Sequence, residues 1–304
     1  MVAAYLVLVR PMTFTILRAI GLAAVSFLIA VLPGGVWTGL LIANLRIDPK
    51  IPWAVAAMGL LLWLLCKYLN GGGPPRSTSA SRHRLLRANP VSAPLFAWAM
   101  LAGIFGVIAL AGVWIVLLDL VRLPPRALPD FSKYPLFTAT TVILMAGLVS
   151  SIPEEAAFRG YFQSFLEKKL SGPLAIVLAA VALAPAHCLT QGFLWPVVLF
   201  YFLVDSMLGA IAYLTKSILP GIAVHFIGLL GFFTLIWPYD ATRVLITEGG
   251  VKSWYWIHVV QIVICGLLGL FAFWRLKSSA SRRSLTRRCS LTAGRGTERL
   301  KDEL

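Results

Sequence analysis

Charge is scarce in this chain. Of 304 residues only 13% are Asp, Glu, Lys or Arg, and just 12 are acidic. A soluble domain carries about 25% charged residues. With 59% of the chain hydrophobic, a water-soluble globular enzyme and a disordered chain are both excluded. Cysteine is also sparse. Cys66, Cys188, Cys265 and Cys289 form no C-x-x-C pair, which removes a disulfide scaffold and a zinc knuckle. There is no H-E-x-x-H, no internal repeat of the kind that builds an inverted-repeat transporter, and no A-x-A-like site after the first apolar run. That run is therefore read as an anchor rather than a cleaved signal.

What the chain has is apolar length. Mean hydropathy is +0.84, and apolar runs of about 20 residues recur throughout. The pattern predicts an all-α polytopic transmembrane bundle of about eight helices, near 19–43, 52–69, 92–118, 135–166, 173–190, 195–214, 217–237 and 254–274. Pro33-Gly34-Gly35 should interrupt the first, and Met1–Val9 suits the membrane interface. The divisions are 1–134, holding three spans and a basic cytoplasmic loop at 70–90; 135–237, holding spans four to seven; 238–275, the eighth span; and 276–304, a basic tail.

The net charge of +15 is topological. If spans alternate, 19 Lys and Arg fall on the flanks that share a side with both termini. Seven, including Arg122, Arg126, Lys133 and Arg243, fall on the other side, and Arg159 stays inside a span. The positive-inside rule then puts the termini and the 70–90 loop in the cytosol of a plasma or inner membrane, or of an ER membrane in a eukaryote. Nucleic acid is not an expected partner; membrane lipid is, with the basic tail meeting anionic headgroups. Asn70–Ser81 (NGGGPPRSTSAS) reads as a flexible loop, and the tail from Ser278 as disordered. The terminal Lys301-Asp302-Glu303-Leu304 matches an ER-retention sequence read from the lumen, but this topology puts it in the cytosol.

Ionisable groups cost about 2.5–3.5 kcal/mol each at the centre of a membrane helix. Six lie within apolar spans: Glu154, Glu155, Arg159, His187, Asp205 and His225. Helix arithmetic tests whether they meet. Glu154 lies 17 residues before Ser171 and His187 lies 16 after it. Both are therefore about 25 Å from the turn of that hairpin. Asp205 and His225 are likewise level about Lys216. All four share one layer if the first hairpin projects about two turns further into the cytosol. Pro153, Pro185 and Pro220 neighbour these groups and should bend their helices. Glu155 and Arg159, at i,i+4, share a face and can pair. Glu154, 100° away, has no second base on its own helix to offset it. The two histidines can hold a proton, an oxyanion or a metal. Cys188, beside His187 but turned away, reads as a neutral buried thiol. His83 and His258 have no expected role.

The segment Pro153-Glu154-Glu155-Ala156-Ala157-Phe158-Arg159-Gly160 resembles the first motif of the CPBP family. That family comprises type II CAAX prenyl endopeptidases and bacterial proteins tied to bacteriocin processing and immunity. Its pattern is E-E-x-x-x-R, then F-x-x-x-H, then H-x-x-x-N/D. Leu183-Ala184-Pro185-Ala186-His187 fits the second motif with Leu for Phe. His225-Phe226-Ile227-Gly228-Leu229 fits the third only at its histidine. The resemblance covers about 137–237. It implies an intramembrane peptidase that cuts near the C-terminus of a membrane-anchored or lipidated substrate. Glu154 would be the base that activates water, His187 and His225 would complete the site, and Glu155 and Arg159 would support it. No cofactor is expected; the alternative is zinc on Glu154, His187 and His225. Asp205 can add a polar group to the layer. Leu229 removes a polar partner that the family supplies, which keeps open a binding or immunity protein without turnover. A proton-coupled transporter using Glu154, Asp205 and the histidines is the third reading.

Overall fold

The computed structural model describes residues 2–122, 131, 134–238 and 244–302. Arg126, Lys133, Arg243, Glu303 and Leu304, which entered the topology reading, lie outside the described residues, as does Met1.

Among the described residues the secondary structure is helical. Six helices are long and apolar enough to cross a membrane: Ile16–Ile47, Ala93–Leu118, Leu136–Leu166, Trp195–Thr215, Leu219–Ile236 and Ser253–Arg282. Two shorter apolar helices, Trp53–Leu69 and Gly172–Cys188, complete the eight expected from sequence. The outer face of the last of the six carries Leu267, Leu270, Trp256 and Trp274, each more than half exposed. Such a surface has no place in water and suits acyl chains. The chain is an integral membrane protein.

In chain order the helices are α1 (Val2–Ile47), α2 (Trp53–Leu69), α3 (Ser79–Leu86), α4 (Ala93–Leu118) and α5 (Leu136–Glu154). A π-helical stretch, Glu155–Phe162, joins α5 to α6 (Gln163–Leu166). Then come α7 (Gly172–Gln191), α8 (Trp195–Thr215), α9 (Leu219–Gly231), α10 (Ile246–Gly249) and α11 (Ser253–Asp302). The π stretch lies against α1 and α7, and α8 and α9 pack on α4, which is itself backed by α11. Small residues allow the close approach, as usual between membrane helices. Ala157, Ala175 and Ala179 are buried with Phe158, Phe162 and Leu183 where the π stretch meets α7. Ser26 of α1 donates its hydroxyl to the carbonyl of Ala157 at 3.0 Å.

Three local expectations fail, each for a physical reason. Pro33-Gly34-Gly35 does not interrupt α1, which runs unbroken from Val2 to Ile47. Proline removes one hydrogen bond, but with no water to compete, the flanking turns hold the helix together. Pro220 bends nothing, because it sits in the first turn of α9, where its missing N–H has no intrahelical partner to lose. In the tail, α11 continues to Asp302. The transmembrane turns have already met the cost of nucleation, and each Arg or Leu added extends the helix cheaply.

The loop at 70–90 is the fourth correction. Asn70–Ser81 folds into turns, a 3-10 turn at Arg76–Thr78 and the start of α3. Arg82, read from sequence as a topological marker, is buried. It donates to the carbonyls of Gly72 at 2.9 Å and Gly73 at 3.0 Å and covers the ring of Tyr68. Arg87 closes α3 in the left-handed region, at φ 56°. Its guanidinium donates to Glu167 Oε1 at 2.8 Å, Ser164 Oγ at 3.2 Å and the Ala212 carbonyl at 2.9 Å. Its own carbonyl accepts from the Ile218 N–H at 3.1 Å. Gly160 allows the loop to come close, since a Cβ there would stand 2.9 Å from the Leu86 carbonyl oxygen. The loop is a cap that ties α6, α8 and the start of α9 together.

Glu167 anchors that cap. Burial alone would raise its carboxyl, but Arg87, Gln163 and Lys216 outweigh burial and hold it below its usual value of 4.5. A carboxylate depressed on folding stabilises the fold above its unfolded pKa, and that contribution is lost as pH falls through the folded value. The unfolding temperature in detergent should therefore hold level above pH 4.5 and drop below it. Glu167→Gln should flatten that acid limb. An unchanged acid limb in the variant would show that the cap does not depend on this carboxylate.

Candidate active site

The first carboxylates are set by a break in helical pitch. Pro153 lacks the N–H that would continue the i to i−4 ladder, and the backbone widens into the π stretch directly after it. Single π turns recur at functional sites because they turn successive side chains off the ordinary 100° spacing. Every residue of Glu155–Phe162 is buried. Glu155 is 0% and Arg159 1% exposed.

Arg159 is shared. Its Nη1 lies 3.4 Å from Glu155 Oε1, the pair expected from sequence. Its Nη2 makes the tighter contact, 2.6 Å to Asp205 Oδ1 on α8. It also donates to the Asp205 backbone carbonyl at 3.3 Å. Sequence reasoning assigned Arg159 to Glu155 alone and left Asp205 free to join the polar layer; the structure instead spends Asp205 on the guanidinium. A planar fork with five donors can bridge two carboxylates in this way, where an ammonium would serve as one point charge.

Glu155 has a second grip. Its Oε1 lies 3.2 Å from Nδ1 of His225 on α9. A carboxylate only accepts, so Nδ1 carries the proton and Nε2 faces the other way. What Nε2 faces is Glu154, whose Oε2 lies 3.8 Å from it. The same Oε2 lies 4.0 Å from Nε2 of His187 on α7. The level-layer arithmetic thus brings one carboxylate and two imidazoles from three helices together.

Those two separations are too long for direct hydrogen bonds. Each suits a water oxygen bridging the carboxylate and the imidazole at about 2.8 Å. Glu154 Oε2 is a buried acceptor with no hydrogen-bond partner in the protein. The site remains partly open. His187 is 19% exposed and Glu154 14%, whereas Glu155 and Asp205 are sealed at 0% and 2%. The residues do not fit zinc as they stand: among the described residues no group of three or more His, Cys, Asp or Glu side chains has the spacing to hold a metal ion.

Two further residues escaped the sequence reading. Gly221 lies one turn before His225, and a Cβ there would stand 2.7 Å from Glu155 Oε2. Glu155 is held from two other directions and cannot retreat. Gly221→Ala should cost about 1–3 kcal/mol of stability through overpacking, read as a lower unfolding temperature in detergent; a wild-type midpoint would show that the carboxylate is freer than its contacts imply. Tyr201, on α8, stacks its ring on His187 at 3.8 Å between centroids and 10° between planes. Tyr201 and Asp205 are i,i+4 on one face, and so are Gly221 and His225. Helical spacing from the ionisable residues was the available clue to both.

The remaining polar candidates keep structural surroundings. His83 Nδ1 pairs with Asn70 Oδ1 at 2.8 Å inside the cap. His258 pairs with Gln261 at 3.0 Å. Cys188 is buried in an apolar cluster with Trp114 and Phe200. Leu229 lies half-buried one turn beyond His225.

Residues 136–230 match the family model described as type II CAAX prenyl endopeptidase Rce1-like. The matched segment contains Glu154, Glu155, Arg159, His187, Asp205 and His225. No curated protein and no solved structure matches the chain.

Proposed function

We propose, from the match of residues 136–230 to the type II CAAX prenyl endopeptidase Rce1-like family model, that the chain is an intramembrane endopeptidase that hydrolyses a peptide bond near the C-terminus of a membrane-anchored or lipidated substrate. The observation that carries the reading is the unpartnered Oε2 of Glu154 facing two imidazole nitrogens at 3.8 and 4.0 Å.

The reaction follows from the donors and acceptors. Glu154 takes a proton from a water held between it and the imidazoles, and the oxygen attacks the scissile carbonyl. His187 donates from Nε2 to the oxygen that gains negative charge, while Nε2 of His225, whose proton is held on Nδ1 by Glu155, accepts the second hydrogen of the water and orients it. As the C–N bond breaks, Glu154 returns its proton to the leaving amine. Glu155 acts at one remove: it fixes the His225 tautomer, and Arg159 and Asp205 fix Glu155. The substrate reaches the site from the cytosolic side, where both termini and the 70–90 cap lie.

Leu229 favours a second reading. An apolar residue where the family pattern has Asn or Asp leaves the oxyanion region one polar group short. Loss of one such donor costs about 10²–10³ in rate in a serine protease. A relative that keeps the scaffold and binds its target without turnover is the consequence if that loss is not made up. The two readings separate in cells. Membrane-proteome C-termini from cells carrying the wild type should differ from those with Glu154→Gln at a small set of truncated proteins. Identical C-termini, with the cellular phenotype preserved in the variant, would overturn the peptidase and leave the binding role.

A further inference from the structure

The two imidazoles are oriented by different means. His225 is set by a hydrogen bond at Nδ1 from behind. For His187 the oriented element is the ring face, covered by Tyr201 at 3.8 Å and 10°. The last torsion of a histidine is broad and poorly defined by its own rotamer preferences. A parallel stack removes that freedom, because Nε2 can donate or accept only in the ring plane. Once the plane is fixed, Nε2 is left only the two directions related by a flip of the ring, one of which faces Glu154.

Tyr201 is itself held. Trp114, 1% exposed on α4, meets it edge-on at 6.1 Å. Phe200 meets it at 5.2 Å and Trp114 at 4.6 Å. A ring clamped between a buried tryptophan and a histidine is a rigid platform, since aromatic edge-to-face pairs resist rotation.

We propose that Tyr201 is a positioning residue: its ring face holds the imidazole of His187 in the plane that directs Nε2 at the Glu154 carboxylate. This rests on the peptidase reading for its kinetic part, whereas the orientation of the ring can be measured without any substrate.

The test uses full-length protein in detergent and three variants, Tyr201→Phe, Tyr201→Leu and Tyr201→Met. Diethyl pyrocarbonate modification of His187, followed by mass spectrometry, reports how freely the imidazole moves; exposed His83 is the internal reference. Tyr201→Leu should raise the His187 rate severalfold relative to His83, and Tyr201→Phe should keep the wild-type rate. On a cleaved peptide, Tyr201→Leu should lower kcat about ten- to a hundred-fold with KM unchanged, as expected for a misdirected catalytic group. Tyr201→Phe should restore it. Tyr201→Met replaces Tyr201→Leu if the latter fails to fold. Wild-type labelling and kcat in the aliphatic variants would overturn the proposal, as would a Tyr201→Phe loss equal to that of Tyr201→Leu, which would move the role to the hydroxyl. If Glu154→Gln cleaves as the wild type does, the peptidase reading falls and takes the kinetic part with it. A labelling shift in that case still shows that the stack orients His187.

Discussion

Replacing Glu154 with Gln should remove hydrolysis and little else. The amide keeps the size and one acceptor of the carboxylate but cannot take a proton from water. General-base catalysis contributes about 10²–10⁴-fold, so kcat on a cleaved membrane peptide should fall by at least that factor. KM should hold, because the proposed mechanism puts Glu154 on the attacking water and not on the chain being cut. Stability should hold as well. Glu154 makes no contact with Arg159 as close as those of Glu155 and Asp205, and its Oε2 has no direct hydrogen bond to lose. The contrast is Glu155→Gln, where kcat and unfolding temperature should fall together, since Glu155 Oε1 touches both Arg159 and His225 Nδ1. Cleavage by Glu154→Gln at the wild-type rate would refute the assignment of the base. Equal loss of stability in both variants would refute the division of labour between the two carboxylates.

That division was only half legible in the sequence. Counting residues from Ser171 showed that Glu154 and His187 are level, and they stand 4.0 Å apart. Helical rise alone gives that result, because a tight hairpin leaves little freedom in register. The same arithmetic could not say which partner Arg159 prefers. The closer carboxylate, Asp205 at 2.6 Å, is 46 residues away on α8, and the choice depends on how α8 is rotated against the π stretch. The π stretch was invisible for a related reason. Pro153 announces a disturbance, but whether the backbone bends, breaks or widens depends on what packs around it. The loop failed in the opposite way. Glycine, proline and serine at 70–81 read as mobile by composition, yet Arg82 and Arg87 supply the carbonyl and carboxylate contacts that hold it. Composition reports the unfolded chain's freedom; it says nothing of two arginines arriving from the far side of the turn. The eight apolar runs were the easiest part, since the bilayer itself imposes length and polarity on each segment.

Arg159→Met should be the most destabilising single change in the membrane region. It deletes the one base that meets Glu155 and Asp205, and both carboxylates are sealed, at 0% and 2% exposure. Breaking a buried pair by removing one partner costs about 3–5 kcal/mol, because the remaining charge cannot be solvated. Here the deletion strands two acids, and His225 can compensate only the one it touches at 3.2 Å. Unfolding temperature in detergent should drop sharply. Arg159→Lys should recover little of it, because a single ammonium cannot span contacts of 2.6 and 3.4 Å to carboxylates on different helices. The informative control removes the charges together. In Arg159→Met combined with Glu155→Gln and Asp205→Asn, no uncompensated ion remains, so stability should return most of the way to wild type. Cleavage should not return with it, because an amide at position 155 no longer fixes the His225 tautomer. If Arg159→Met unfolds at the wild-type temperature, the network carries no net stability. If the triple variant is also fully active, Glu155 has no part in directing His225, and the support for Glu154 must come from His187 and its aromatic backing alone.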